Sequence, residues 1–178
     1  IASWDFMVLG DKIEYYLYEF QPIKRTFLYE KINQVRPFRI HLPYTYLFLK
    51  YKVDKPCHTV HCYGSELPMT SLKSGLFGMP LPNTYKDGLC CLGNGDKYYK
   101  NNKEFVQDCI NLLFFGVGTH DVVGWDWRIE IIGNYFDWEF FEKLEKHTPQ
   151  IWSQIKGYSR LAYLADDSFY HCTYNSFA

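Results

Sequence analysis

Between Lys12 and Tyr51 the chain carries three short runs dense in aromatic and β-branched residues, at 13–20, 26–32 and 38–51, with prolines at positions 22, 37 and 43. A proline inside a helix removes one hydrogen bond and clashes with the preceding turn, so runs broken this often suit strands joined by short turns. The spacing predicts a β-meander over 12–51. Residues 26–35 also fit a helix, but their stiff, branched and aromatic side chains favour strand. Aromatic residues make up 20% of the chain, with 16 Tyr and 14 Phe, and pack well on a pleated, half-buried surface. They are read first as core and second as docking surface.

Beyond the meander, 53–63 reads as a further strand, and 64–80 mixes Gly, Ser, Pro and Leu without a period, as an irregular segment does. Helical spacing is clearest from Asn101 to Phe115, where Phe105, Val106, Cys109, Ile110, Leu112 and Leu113 recur behind a polar start. Gly116 and Gly118 stop it. A second helix is expected from Asp137 to about Lys146, with Asp137 as N-cap and Phe140, Phe141 and Leu144 on one side. A third is placed from Pro149 through Ile155 to Gly157. These elements predict an α+β fold: one domain over 1–118, with 119–178 as an aromatic-rich helical extension packed upon it. The dense set Trp125, Trp127, Tyr135, Phe136, Trp138, Phe140, Phe141 and Trp152 belongs to that extension.

A chain of 178 residues, 47% of them hydrophobic, can build a real core. Its 19 basic and 20 acidic residues leave a net charge of −1, which gives no footprint for nucleic acid or an anionic membrane. No apolar run reaches the roughly 20 residues that span a bilayer, and no basic stretch precedes an apolar leader. The first residue is Ile1 rather than Met, so the natural start is expected to differ. The expected setting is the cytoplasm, with Cys57, Cys62, Cys90, Cys91, Cys109 and Cys172 as reduced thiols.

The chemistry-bearing stretch is Leu81-Pro82-Asn83-Thr84-Tyr85-Lys86-Asp87-Gly88-Leu89-Cys90-Cys91-Leu92, in which an Asn and a Cys lie eight residues apart across a turn-forming Asp-Gly. A cysteine that carries an acyl group must be accessible, lose its proton readily and sit beside a donor that holds the tetrahedral oxyanion. A plainer alternative is an ordinary hairpin turn, with Asp87-Gly88 chosen for positive φ and Cys91 a small buried apolar residue.

The stretch resembles the active-site segment of the ubiquitin-conjugating (E2) fold, in which Pro-Asn precedes a polar turn, a Gly and then the catalytic Cys. The resemblance implies Cys91 as nucleophile, Asn83 as loop and oxyanion helper, and Tyr85, Asp87 and Gly88 as gate and turn residues. It also implies an E2-like antiparallel meander, flap and following helix. The usual motif His is replaced by Leu81, and the Pro-rich turn ahead of it is only echoed by Glu66-Leu67-Pro68. In this the chain is more similar to the prokaryotic E2 family D, which includes the protein B family of the PRTRC system. There Pro80-Leu81-Pro82-Asn83 and Cys91-Leu92-Gly93-Asn94 fit, and a His near the domain's end, here His120 or His171, stands in for the lost one. The implied activity is transfer of a ubiquitin-like protein, received as a thioester from an E1-like activating enzyme, without a cofactor. The alternatives are a catalytically inactive E2-like binding module in a bacterial or phage assembly, or an unrelated structural protein.

Two further constellations point elsewhere. Cys57-His58-Thr59-Val60-His61-Cys62 holds four zinc-type ligands, which could close a site with His171 and Cys172. In an extended strand, however, Cys57 and His61 share one face and His58 and Cys62 the other, and two ligands per face complete no structural site. A half-buried strand is the plainer reading. Gly93-Asn94-Gly95-Asp96-Lys97 lacks both dinucleotide and phosphate-loop spacing and reads as a lip beside Cys91. Glu139, Glu142, Lys143, Glu145 and Lys146 read as a solvated helix face.

Overall fold

The computed structural model describes residues 2–8, 13–31, 33–52, 59–70, 76–79, 81, 83–84, 88–91, 99, 101–118 and 138–146. In chain order the elements are β1 (Ala2–Val8), β2 (Ile13–Phe20), β3 (Ile23–Lys31), β4 (Gln34–Leu42), β5 (Tyr44–Lys52), β6 (Thr59–Ser65), β7 (Phe77–Gly78), α1 (Asn102–Phe115), β8 (Val117–Gly118) and α2 (Trp138–Lys146). Strands and helices together make the α+β class expected.

The meander is interrupted. Five strands form an antiparallel sheet in the order β1-β2-β5-β6-β7, while β3 and β4 leave it as a hairpin and build a second, three-stranded sheet, β4-β3-β8, in which β8 runs parallel to β3. A single consecutive meander over 12–51 is therefore corrected to a meander with an inserted hairpin. The prolines mark the junctions: Pro22 lies between β2 and β3, and Pro43 alone separates β4 from β5. The run 38–51, read as continuous, thus serves two sheets, and 26–35 is strand and turn rather than helix. Asn33 turns the hairpin with φ 59°, a left-handed conformation that Asn tolerates better than most residues.

Pro37 sits inside β4, yet costs no ladder bond. The backbone N–H of Arg39 points away from β3, donating to Glu145 Oε1 of α2 at 2.9 Å. Residue 37 shares that outward direction by the two-residue period, so the proline's missing donor falls on the sheet edge. On that edge α2 supplies the cover that an open strand needs. The accompanying Arg36–Glu142 ion pair, 3.3 Å long and between exposed side chains, contributes little.

Alternation along the strands gives the large sheet two apolar faces. Tyr16, Phe20, Leu47, Leu49, Tyr51, Val60 and Cys62 join the main core, whereas Leu17, Tyr46, Phe48 and Tyr63 point to the opposite side and pack with Leu76. The main core is completed by Phe27, Tyr29, Phe38 and Ile40 of the small sheet and by one side of each helix. From α1, Phe105 meets Tyr51 with ring centroids 5.7 Å apart and Phe114 meets Phe20 at 4.8 Å. From α2, Phe141 meets Tyr29 at 4.6 Å and Phe38 at 5.3 Å. Such pairs add about 0.5–1.5 kcal/mol each beyond area burial.

The start of α1 follows its sequence signal. Asn101 takes extended angles, φ −160° and ψ 168°, and its side chain accepts the Glu104 N–H at 3.0 Å. Asn102 reaches back to the Tyr16 hydroxyl, joining the first turn to β2. Replacing Asn101 by Ala is expected to lower global stability by about 1 kcal/mol through the lost cap, read as a shift in urea midpoint at unchanged slope. For α2, Phe141 and Leu144 are buried as expected; Asp137, the proposed cap, lies outside the described residues, as do the helix placed at 149–157 and most of the aromatic set. Among the described residues no helix is long and apolar enough to cross a membrane.

Candidate thiol site on the β6 edge

The open edge of β6 is shared by two partners. Tyr63 and Gly64 pair with Gly78 and Phe77 of β7, while His61 faces Leu89 across an isolated antiparallel bridge. Cys62 N donates to Gly88 O and Cys90 N to Val60 O, both at 2.8 Å. Residues 88–90 therefore run beside β6 as a short extra strand. Gly64 permits the crowding at the change of partner, since a Cβ there would stand 2.4 Å from the Phe77 ring and 2.5 Å from Met79 Sδ.

A second strand piece closes the hairpin. Thr84 bridges Cys90, and Cys91 N donates to Asn83 O at 2.7 Å. Asn83 has φ 60° and Gly88 φ 87°, so the positive φ expected at Gly88 is present and Asn83 holds a second left-handed position. A side chain at Gly88 would also meet the Tyr63 ring at 2.7 Å. The entry to the hairpin is pinned by Thr84, fully buried, whose hydroxyl lies 2.7 Å from Met79 O and 2.6 Å from Leu81 O and shares its one proton between them. Met79 N in turn donates to Cys62 O at 3.2 Å. Nothing in the sequence singled out Thr84; a buried hydroxyl is recognised only once its carbonyl partners are in place.

Adjacent residues of a strand face opposite sides, and this separates the two cysteines. Cys90 is 5% exposed, joins the main core and directs its thiol to Gly88 O at 3.5 Å; Cys91 is half-buried and outside that core. The expectation that Cys91 is merely a buried apolar residue does not hold. Cys62, Cys90, Cys91 and Cys109 are all free thiols, and of these four only Cys91 is not buried. The hairpin thus brings Asn83 and Cys91 together as backbone partners with Gly88 in the same turn. Tyr85, Asp87, His120 and His171 lie outside the described residues.

Of the zinc-type set only His61 and Cys62 are among the described residues. His61 and Cys62 face opposite sides of β6 as the strand period requires, and among the described residues no group of three His, Cys, Asp or Glu could hold a metal ion; Cys57, His58, His171, Cys172 and the 93–97 segment are outside them. His61 instead stacks on Tyr63, with ring centroids 5.9 Å apart and planes within 8°, and its Nδ1 is 3.1 Å from the Tyr63 hydroxyl.

Two buried groups give the fold a defined alkaline limit. Burial pushes the Cys62 thiol well above its ordinary value near 9. Tyr46, whose hydroxyl accepts the Met69 N–H at 2.6 Å and donates to Glu19 Oε2 at 3.1 Å, is raised from 10.0 to about 12, first by burial and then by the Glu19 carboxylate. Both shifts favour the neutral form in the fold, so their stabilisation is complete below the ordinary pKa values and is lost as pH rises through the raised ones. Denaturant midpoints are expected to hold up to about pH 9 and to decline from there towards pH 12. Tyr46→Phe removes the tyrosine's share, making the decline between about pH 10 and 12 shallower.

Comparison of the chain with protein-family models, curated proteins and solved structures finds no match.

Proposed function

We propose that this protein is an E2-type carrier that holds a ubiquitin-like protein on Cys91 as a thioester and passes it to an amine. In the loading step the Cys91 sulfur attacks the carbonyl carbon of a thioester on an E1-like activating enzyme. A new S–C bond forms, the enzyme's thiolate departs and takes up the proton that Cys91 gives. ATP is consumed earlier, by the activating enzyme. In the discharge step an amine attacks the same carbon, an amide forms and Cys91 returns as a thiol. Asn83 supports the hairpin and the oxyanion, and the reduced thiols suit a cytoplasmic setting.

The observation that carries this reading is the 2.7 Å bond from Cys91 N to Asn83 O, with Cys91 half-buried while Cys62, Cys90 and Cys109 are buried. The main chains of an Asn and a Cys eight residues apart are held as neighbours, which supports the reading. The test is incubation with an activating enzyme, a ubiquitin-like protein and ATP, components already shown to charge another carrier. A covalent adduct removed by reductant supports the reading, and its absence counts against it.

One observation favours a second reading. The β3–β4 hairpin interrupts the meander that the E2 resemblance implies. A scaffold altered in this way fits an inactive E2-like module that binds its partner without taking it covalently. That module would retain affinity for a ubiquitin-like protein, measurable by calorimetry, while forming no adduct.

A further inference from the structure

The register on the β6 edge has a consequence for the thiol. Directly opposed residues of an antiparallel pair project to one side, so His61 and Leu89 share a face, and the two-residue period adds Cys91 and Tyr63 to it. On this face His61, Leu89 and Cys91 are half-buried and Tyr63 is buried, whereas Val60, Cys62 and Cys90 on the other face are all buried. His61 and Cys91 are therefore diagonal cross-strand neighbours. Diagonal Cα separations are about 7–8 Å, within reach of aromatic and long side chains.

The geometry points to His61 as the positioning and proton-accepting residue for Cys91, with Tyr63 as the group that orients it. This rests on Cys91 being the acyl-carrying nucleophile. Two features of the face support it. Tyr63 stacks on the imidazole and engages Nδ1, so Nε2 is the nitrogen through which His61 acts on the thiol. The same tyrosine ring packs over Gly88, where no side chain would fit, which ties the orienting group to the hairpin that carries Cys91. In the loading step the Cys91 S–H bond breaks and its proton passes to His61 Nε2. The sulfur keeps the electron pair, attacks the incoming thioester carbonyl, and the proton returns to the departing thiolate.

Other titratable groups on this face must be counted. From β5, Lys50 pairs with Thr59 and Tyr46 with Tyr63, so both project to the same side as His61; Glu19 of β2 bonds to the Tyr46 hydroxyl. Across from them the hairpin contributes Cys91. A lysine ammonium near the thiol favours the thiolate irrespective of His61, so the two contributions must be separated by mutation rather than by a single titration.

The experiment is the pH dependence of Cys91 alkylation by iodoacetamide in the folded protein, from about pH 5 to 9.5, with the modified residue located by peptide mass spectrometry. With His61 acting, His61→Gln moves the midpoint of the rate profile upward by about one unit and slows alkylation at pH 7 about tenfold. Tyr63→Phe keeps the ring over Gly88 and moves the midpoint in the same direction by less, and it serves as the test if His61→Gln does not fold. Lys50→Gln is made in parallel, and its displacement adds to that of His61→Gln if the two groups act separately. A Cys91 profile unmoved by both His61→Gln and Tyr63→Phe overturns the role of His61, even where the thioester adduct forms. Conversely, failure of the adduct in the unmodified protein strikes the carrier reading and leaves the coupling of His61 to Cys91 to be judged by alkylation alone.

Discussion

Replacing Cys91 by alanine is expected to abolish the reductant-sensitive adduct, a fall on the order of 10³-fold or more, the scale on which loss of a covalent nucleophile acts. Its unfolding midpoint should stay close to that of the parent, within about 0.5 kcal/mol, because the side chain is half-buried and lies outside the main core. Cys90→Ala should do the reverse. That thiol is 5% exposed within the main core, so its removal should cost roughly 1–2 kcal/mol through lost burial and a small cavity, while the adduct still forms. Cys91→Ser adds a chemical control: an acyl group on a hydroxyl is an oxyester, which reductant does not release. The measurements are denaturant titration and adduct formation with and without reductant on the three variants. If Cys90→Ala loses the adduct at undiminished stability, the assignment of the nucleophile is reversed.

The turn that carries Cys91 was legible in the sequence because its causes are local; the nucleophile itself was assigned only by resemblance. Asn83 and Gly88 supply left-handed positions, and alternation decides which of two adjacent cysteines faces the core. Helix α1 was legible for the same reason, since its cap and its apolar spacing lie within fifteen residues. The exchange of partners between β2 and β5 was not. The runs that become β2, β3, β4 and β5 carry one kind of signal, Tyr, Phe, Leu and Ile in extended spacing, and nothing local tells which run pairs with which. Pro22 and Pro43 mark where the chain turns but not that the hairpin between them leaves the sheet. The closeness of His61 to Cys91 was hidden similarly: it depends on residues 88–90 lying along β6 in one register, a long-range pairing. In the sequence His61 therefore stands out only as one of four metal-type ligands, on the face opposite Cys62.

Phe141→Ala tests how far the domain extends beyond β8. The ring is fully buried between Tyr29 of β3 and Phe38 of β4, at 4.6 and 5.3 Å, so truncation removes two aromatic contacts and leaves a cavity inside the main core. Large-to-small changes of this kind cost about 3–5 kcal/mol, a large part of the 5–15 kcal/mol by which most domains are stable. The expected result is a single cooperative transition moved to lower denaturant, followed together by circular dichroism and by aromatic fluorescence. A different result would be equally informative. Should the variant show an early transition that removes helix signal alone, with the remaining transition unmoved, α2 would be an appendage on a domain that ends near residue 118. Burial argues for the former, because Phe141 and Leu144 belong to the same apolar cluster as Phe105 and Phe114 of α1, and because the edge of β4 relies on Glu145 for one of its outward N–H groups. Losing α2 would then uncover the Arg39 donor and one wall of the core together, and the small sheet could not keep its packing against the large one without it.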